Sequence, residues 1–158
     1  MNIRATRAAL YSALLLGCGV TAGASAQPPP LLDLASFAQS SVEIGIGPHH
    51  QHFEVWIADT PERQTQGLMF VRDLPASRGM LFPEPEARPT AFWMKNTYIE
   101  LDMLFIGADH HIAKIVARAP PLSLATINSD APVIAVLEIK GGEAERRGIR
   151  VGDPASWP

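Results

Sequence analysis

From residue 42 onward, apolar and polar positions alternate in short runs with a period of two. Val42, Ile44 and Ile46 alternate with Glu43 and Gly45, which gives an extended segment one apolar face. Gly47-Pro48 breaks the run, and residues 52–58 restart it with Phe53, Val55 and Ile57 on one face and Glu54 and Trp56 on the other. Two such runs joined by a short loop predict a hairpin. Thr60-Pro61-Glu62 then supplies a cap, a first-turn proline and an acid at the positive end of a helix, which Gly67 is placed to stop. A second short helix is punctuated in the same way between Gly142 and Gly148, with acids leading and Arg146-Arg147 following. Strands are expected over residues 79–82, 90–94, 101–106, 112–118 and 133–139, with a tight turn at Asp109-His110. Residues 31–37 read as a loose helical turn. Many short strands and two short helices predict an α+β, mainly β domain with a compact or barrel-like antiparallel or mixed sheet. Barrel closure is not legible in such a pattern.

The N-terminal 26 residues follow a different rule. Arg4 and Arg7 precede an almost wholly apolar stretch, and Ala24-Ser25-Ala26 has the form of a signal peptidase site. The expectation is a cleaved export signal over residues 1–26, a flexible leader over 27–40 that is Pro-rich at 27–30, and one globular domain over 41–158. The apolar stretch is too short to remain as a membrane span, so no transmembrane segment is expected in the mature chain. Leu15-Leu16-Gly17-Cys18 offers an alternative, a lipid anchor at Cys18, although Leu16 stands where a smaller residue is usual. Both routes lead to the bacterial envelope: periplasmic or secreted in the first case, lipid-anchored in the second.

Composition narrows the chemistry. The chain has 158 residues, 47% hydrophobic and 18% charged, which suits one folded domain. Cys18 is the single cysteine, so cleavage after Ala26 leaves no thiol for a disulfide, a nucleophile or a metal. The formal net charge is −3, and loss of Arg4 and Arg7 would take it to −5. Arg146-Arg147 with Arg150 is the densest basic patch, a poor footprint for nucleic acid or anionic lipid.

The stretch "AFWMKNTYIELDMLF" (91–105) carries the candidate site. Asp102 shares a strand face with Leu104 and Ile106, and a carboxylate on an apolar face needs partners. If the runs on either side of residues 95–100 pair as neighbours, Asp102 comes within reach of Lys95, Asn96 and Thr97, with Arg72 as a further partner. The bland outcome is a self-satisfied polar cluster that fixes a loop. The sharper one is a pocket with Trp93 or Phe92 as its apolar wall and Trp93, Lys95, Asn96, Asp102, Arg72 and Met69 around it. Lys95 or Arg72 would meet an anionic or hydroxylated group of a small ligand.

Other constellations carry less. Met69, Met80, Met94 and Met103 fall within 35 residues of one another, and thioethers in an exported protein can hold Cu(I), but core filling is their commoner use. His49, His50, His52, His110 and His111 fall at expected turns with no acidic or thiol ligand to complete a metal set. No nucleophile elbow, dinucleotide fingerprint or phosphate loop is present, and no cofactor is implied. Asp102 and Glu138 are conceivable as a paired-carboxylate hydrolase, without a spacing argument to bring them together.

The segments "VWIADTPERQTQGLMFVRDLP" (55–75), "GMLFPEPEARPTAFWMKNTYIELDMLFI" (79–106), "PLSL" (121–124) and "VLEIKGGEAERRGIRVGD" (136–153) together resemble domain-of-unknown-function family 192. The likeness runs from about Val42 to Asp153. It implies a small, mostly β domain, often behind an export signal, and it implies no reaction. Its most recognisable block holds Gly67-Leu68-Met69 and residues 92–97, where a shared site would fall. His110-His111 depart from the family, in which a hairpin glycine is commoner. The expectation is therefore a non-enzymatic, exported small-ligand-binding or accessory domain, with an envelope hydrolase using Asp102 and Lys95, or a copper- or metal-handling protein, as alternatives.

Overall fold

The computed structural model describes residues 30–158. The stretch expected to be an export signal, the Cys18 motif and Gln27 lie outside the described residues. A 3-10 turn at Leu34–Ser36 is capped by the Asp33 carboxylate and leads the buried Phe37 into strand β1, Ala38–Ile46. The remaining elements are β2 (His49–Ile57), α1 (Pro61–Gln66), β3 (Arg78–Arg88), β4 (Ala91–Phe92), β5 (Leu101–Ile106), β6 (Ile112–Ala119), β7 (Ile127–Asn128), β8 (Val133–Lys140), α2 (Glu143–Arg147) and β9 (Ala155–Ser156).

Seven strands form one mixed sheet in the order β6-β5-β8-β3-β2-β1-β9, and β4 pairs with β7 in a separate ribbon. The β1–β2 hairpin is antiparallel, as the sequence predicts. The β2–β3 pair is parallel, because the chain between them crosses back through α1. The fold is thus α+β and mainly β, with an open sheet. Its edges meet only at one corner, where His111 bridges Pro154 and Ala155 N–H reaches the His110 carbonyl. Among the described residues no ladder closes it into a barrel.

Alternation along the strands sorts the core into two layers. Leu81, Leu104, Ile106, Leu137 and Ile139 join Val42, Phe53, Val55 and Ala144 of α2 on one face. Met80, Phe82, Met103, Phe105 and Val136 face the other way, covered by Leu68, Leu74 and Met94 from the long connections. Glycine is required where β3 crosses β8. A methyl group at Gly79 would collide with the Glu138 carbonyl.

Two expectations need correction. His49, His50 and His52 lie in β2, not in a turn; the turn is made by Gly47-Pro48, and His52 pairs with Glu43 across the hairpin. The runs around residues 90–94 and 101–106 are not partners. Ala91–Phe92 pairs with β7, and β5 lies between β6 and β8. The polar segment between them is therefore a clamped turn and not a hairpin loop.

Candidate functional site

Asp102 separates from the other candidates for a geometric reason. It is completely buried on the face that carries Leu104 and Ile106. A bulge in the β5–β6 pairing frees the Arg118 N–H, which donates to Asp102 Oδ1 at 2.8 Å. The same oxygen takes the Gly142 N–H at 2.9 Å, and Oδ2 takes the Ala144 N–H at 2.9 Å. Helix α2 has no capping side chain of its own, so a carboxylate from a central strand satisfies its first turn. The carboxylate is a structural clamp with no route to a substrate. The hydrolase that would use Asp102 as its base is removed by this enclosure. So is the Asp102–Glu138 pair. Asp102 stands opposite Ile139 and Met103 opposite Glu138, so the two carboxylates project from opposite faces of the sheet.

The other residues of the polar segment do gather. Met94 and Thr97 close a four-residue turn, with Thr97 N–H donating to the Met94 carbonyl at 3.1 Å. Asn96 adopts a left-handed conformation (φ 57°), which asparagine tolerates better than most residues. The turn is pinned on both sides. Phe70 N–H donates to the Asn96 carbonyl at 2.8 Å, and Leu122 N–H donates to the Thr97 carbonyl at 3.0 Å. Asn96 Nδ2 approaches the Met69 sulfur at 3.8 Å.

Beside this turn lies a cavity of about 380 Å³. Its walls are Gly67, Leu68 and Met69 after α1, Phe82 of β3, and Phe92 and Trp93 at β4, with Lys95 and Thr97 contributed by the turn. Phe82 and Phe92 meet edge to face at 5.1 Å, and Phe92 meets Phe105 in the same way at 6.1 Å. Lys95 is exposed, and its Nζ sits 4.9 Å from the Trp93 ring centre. Arg88 and Glu84, also on the wall, form an ion pair with each other. Trp93, Lys95 and Met69 of the six candidates line the cavity. Asn96 shapes the turn, and Arg72 lies outside the lining, 4.8 Å above the Tyr98 ring.

The residue missing from that set is Glu138. It lines the same cavity, yet only 4% of it is exposed. Its neighbours across the ladders are Met80 and Met103, neither of which can donate a hydrogen bond. Burial alone pushes its carboxyl up to about 8, with no compensating charge or hydrogen bond among the described residues. The group is therefore mostly a neutral acid at pH 7. In "VLEIK" it is one glutamate in a strand whose neighbours are apolar on both sides, the same signal that drew attention to Asp102. Thr97 is the other buried polar group on the wall, 5% exposed.

The methionines divide similarly. Met80, Met94 and Met103 are fully buried in the second core layer, and Met69 reaches the cavity. Among the described residues no group of three or more His, Cys, Asp or Glu is placed to hold a metal ion. No helix of the described residues is long and apolar enough to cross a membrane.

A family model, DUF192, described as "Uncharacterized ACR", matches residues 42–157. The chain belongs to this family. The DUF192 match takes in the cavity, Glu138 and the Asp102 clamp together. No curated protein matches the chain. Two solved structures share the DUF192 fold seen here. One, from Sinorhizobium meliloti and provisionally named a transcription regulator, is 40% identical with a TM-score of 0.75, covering 77% of this chain and 95% of its own. The other, a protein of unknown function from Novosphingobium aromaticivorans, is 34% identical with a TM-score of 0.76, covering 84% of this chain and 94% of its own.

Proposed function

We propose that this DUF192 protein is a non-enzymatic binding domain of the bacterial envelope whose ligand is a small molecule held in the cavity beside Trp93. Trp93 and Phe92 supply apolar surface for the ligand's body. Lys95, at the exposed end, meets an anionic or hydroxylated group. Export rests on the N-terminal pattern of Arg4, Arg7, an apolar stretch and Ala24-Ser25-Ala26. The observation that carries the reading is the Glu138 carboxyl. It is buried, unpartnered among the described residues and part of the cavity wall. A polar group in that state disfavours folding unless something else completes its hydrogen bonds.

A regulator that grips nucleic acid, the role suggested by the name of the Sinorhizobium meliloti protein, has less support in this chain. Its net charge is −3, and Arg146 and Arg147 of its densest basic patch are both tied to Glu143. The test is a nuclear magnetic resonance screen of the folded domain with small amphiphilic fragments. Binders are expected to shift the Trp93 indole and the Thr97 amide. If every fragment that raises the melting temperature leaves both signals in place, the cavity is not the site.

A further inference from the structure

We propose that the inner end of the cavity receives a cationic nitrogen, so that the ligand fitting both ends is a short zwitterion, its ammonium group inward at Glu138 and its anionic or hydroxylated group outward at Lys95. This rests on the cavity being the ligand site. A carboxyl nine-tenths buried and unpartnered among the described residues is completed most strongly by a compact cation. The neutral acid can donate only one hydrogen bond, whereas a carboxylate facing an ammonium has its charge offset and its oxygens bonded, and an apolar group would leave both oxygens unpaired. The rings of Phe82, Phe92 and Trp93 on the cavity wall favour positive charge over negative through their electron-rich faces. The cations on or beside the cavity wall are engaged with other groups. Arg88 is held by Glu84, Lys140 lies 3.6 Å from Asp73, and Lys95 rests over Trp93 at the mouth.

Binding then moves a proton. The neutral Glu138 carboxylic acid releases its proton to solvent, and the carboxylate left behind pairs with the incoming ammonium; no covalent bond to the ligand forms or breaks. The charged groups able to modulate this are Lys95 and the Arg88–Glu84 pair on the cavity wall and Lys140, which follows Glu138 on the same face of β8 and pairs with Asp73. From the packed strands β3 and β5 the facing residues are Met80 and Met103, which do not titrate. With the Glu138 carboxyl at about 8, apparent affinity for a cation rises about ninefold from pH 6 to 7 and about fivefold from pH 7 to 8, then levels off.

The experiment is calorimetric titration of the folded domain with four probes of one carbon skeleton, 5-aminopentanoate, pentylamine, pentanoate and pentanol, from pH 6 to 9. Resonance shifts of Trp93 and Thr97 report whether each binds in the cavity. The expected result is that both amines bind there, with the stated rise in affinity. They release close to one proton per ligand at pH 6 to 7, measured in two buffers of different ionisation enthalpy. Glu138→Gln should weaken both amines at least tenfold. Amine affinity that ignores pH, or that survives Glu138→Gln, overturns the assignment. If pentanoate or pentanol occupies the cavity and the amines do not, the cation assignment falls and the cavity reading stands. If none of the four moves Trp93 or Thr97, both fall. Should Glu138→Gln fail to fold, proton release by the wild type decides alone.

Discussion

Removing the Asp102 carboxylate should loosen the joint between β5, the β6 bulge and α2 without altering the cavity. Three backbone donors at 2.8, 2.9 and 2.9 Å converge on this one group, and two of them belong to the start of α2. A hydrogen bond to a charged group contributes about 1.5–3 kcal/mol. The Arg118 and Gly142 donors are only partly buried and recover water when the carboxylate is lost, whereas the Ala144 donor is buried. Asp102→Ala should therefore cost roughly 4 kcal/mol, a large share of the 5–15 kcal/mol that holds a typical domain. Asp102→Asn keeps one acceptor oxygen for Arg118 and Gly142 but turns an amide donor toward Ala144 N–H, and should cost roughly 2 kcal/mol. Urea unfolding followed by circular dichroism measures both. Hydrogen exchange at Ala144 should accelerate more than at strand amides remote from the clamp. A loss below about 1 kcal/mol for Asp102→Ala would refute the clamp, since a single hydrogen bond to a charged group contributes about 1.5–3 kcal/mol.

Other substitutions probe separate parts of the account. Because the Glu138 carboxyl is raised from 4.5 to about 8, the unfolded chain loses its proton first as pH rises; stability should fall between those values and be flat beyond them, and Glu138→Gln should abolish that slope in pH-dependent urea melts. Gly79→Ala should destabilise by about 2 kcal/mol or more, because the new methyl meets the Glu138 carbonyl across the ladder; thermal unfolding checks it. Thr60→Ala removes the side-chain cap on the Arg63 N–H of α1 and should cost about 1 kcal/mol in the same assay, with the β-sheet signal unchanged.

Local chemistry made much of this molecule legible. The caps at Thr60 and Gly67, the glycine stop at Gly148 and the turn at Asp109-His110 all depend on neighbours within a few residues, and the structure has each of them. Strand pairing beyond the hairpins depends on residues far apart, and the alternation of apolar and polar positions does not encode it. Nothing in residues 90–106 shows that β4 pairs with a segment around Ile127, or that β5 inserts between β6 and β8. Asp102 illustrates the difference. Its need for partners followed from an acid on an apolar face, but the partners lie 16, 40 and 42 residues away and are backbone amides, which carry no sequence signature. Glu138 offered the same signal as Asp102 and differs only in its surroundings. One carboxylate found three donors, the other lines a cavity with no donor to it among the described residues. Trp93, Lys95 and Thr97 sit together because one local turn gathers them; Met69, from the segment after α1, and Glu138, from β8, reach the same cavity only through packing.

The binding site stands on a Glu138 carboxyl that is buried, unpartnered among the described residues and part of the cavity wall. Carbon-13 resonance titration of that carboxyl, from pH 4 to 10 with and without pentylamine, is the decisive measurement. A midpoint near 8 in the free protein, moved downward by the amine, is the outcome expected from burial without a partner. A midpoint near 4.5 that the amine leaves unmoved would show a carboxyl already solvated or paired, and the site built around it would be gone.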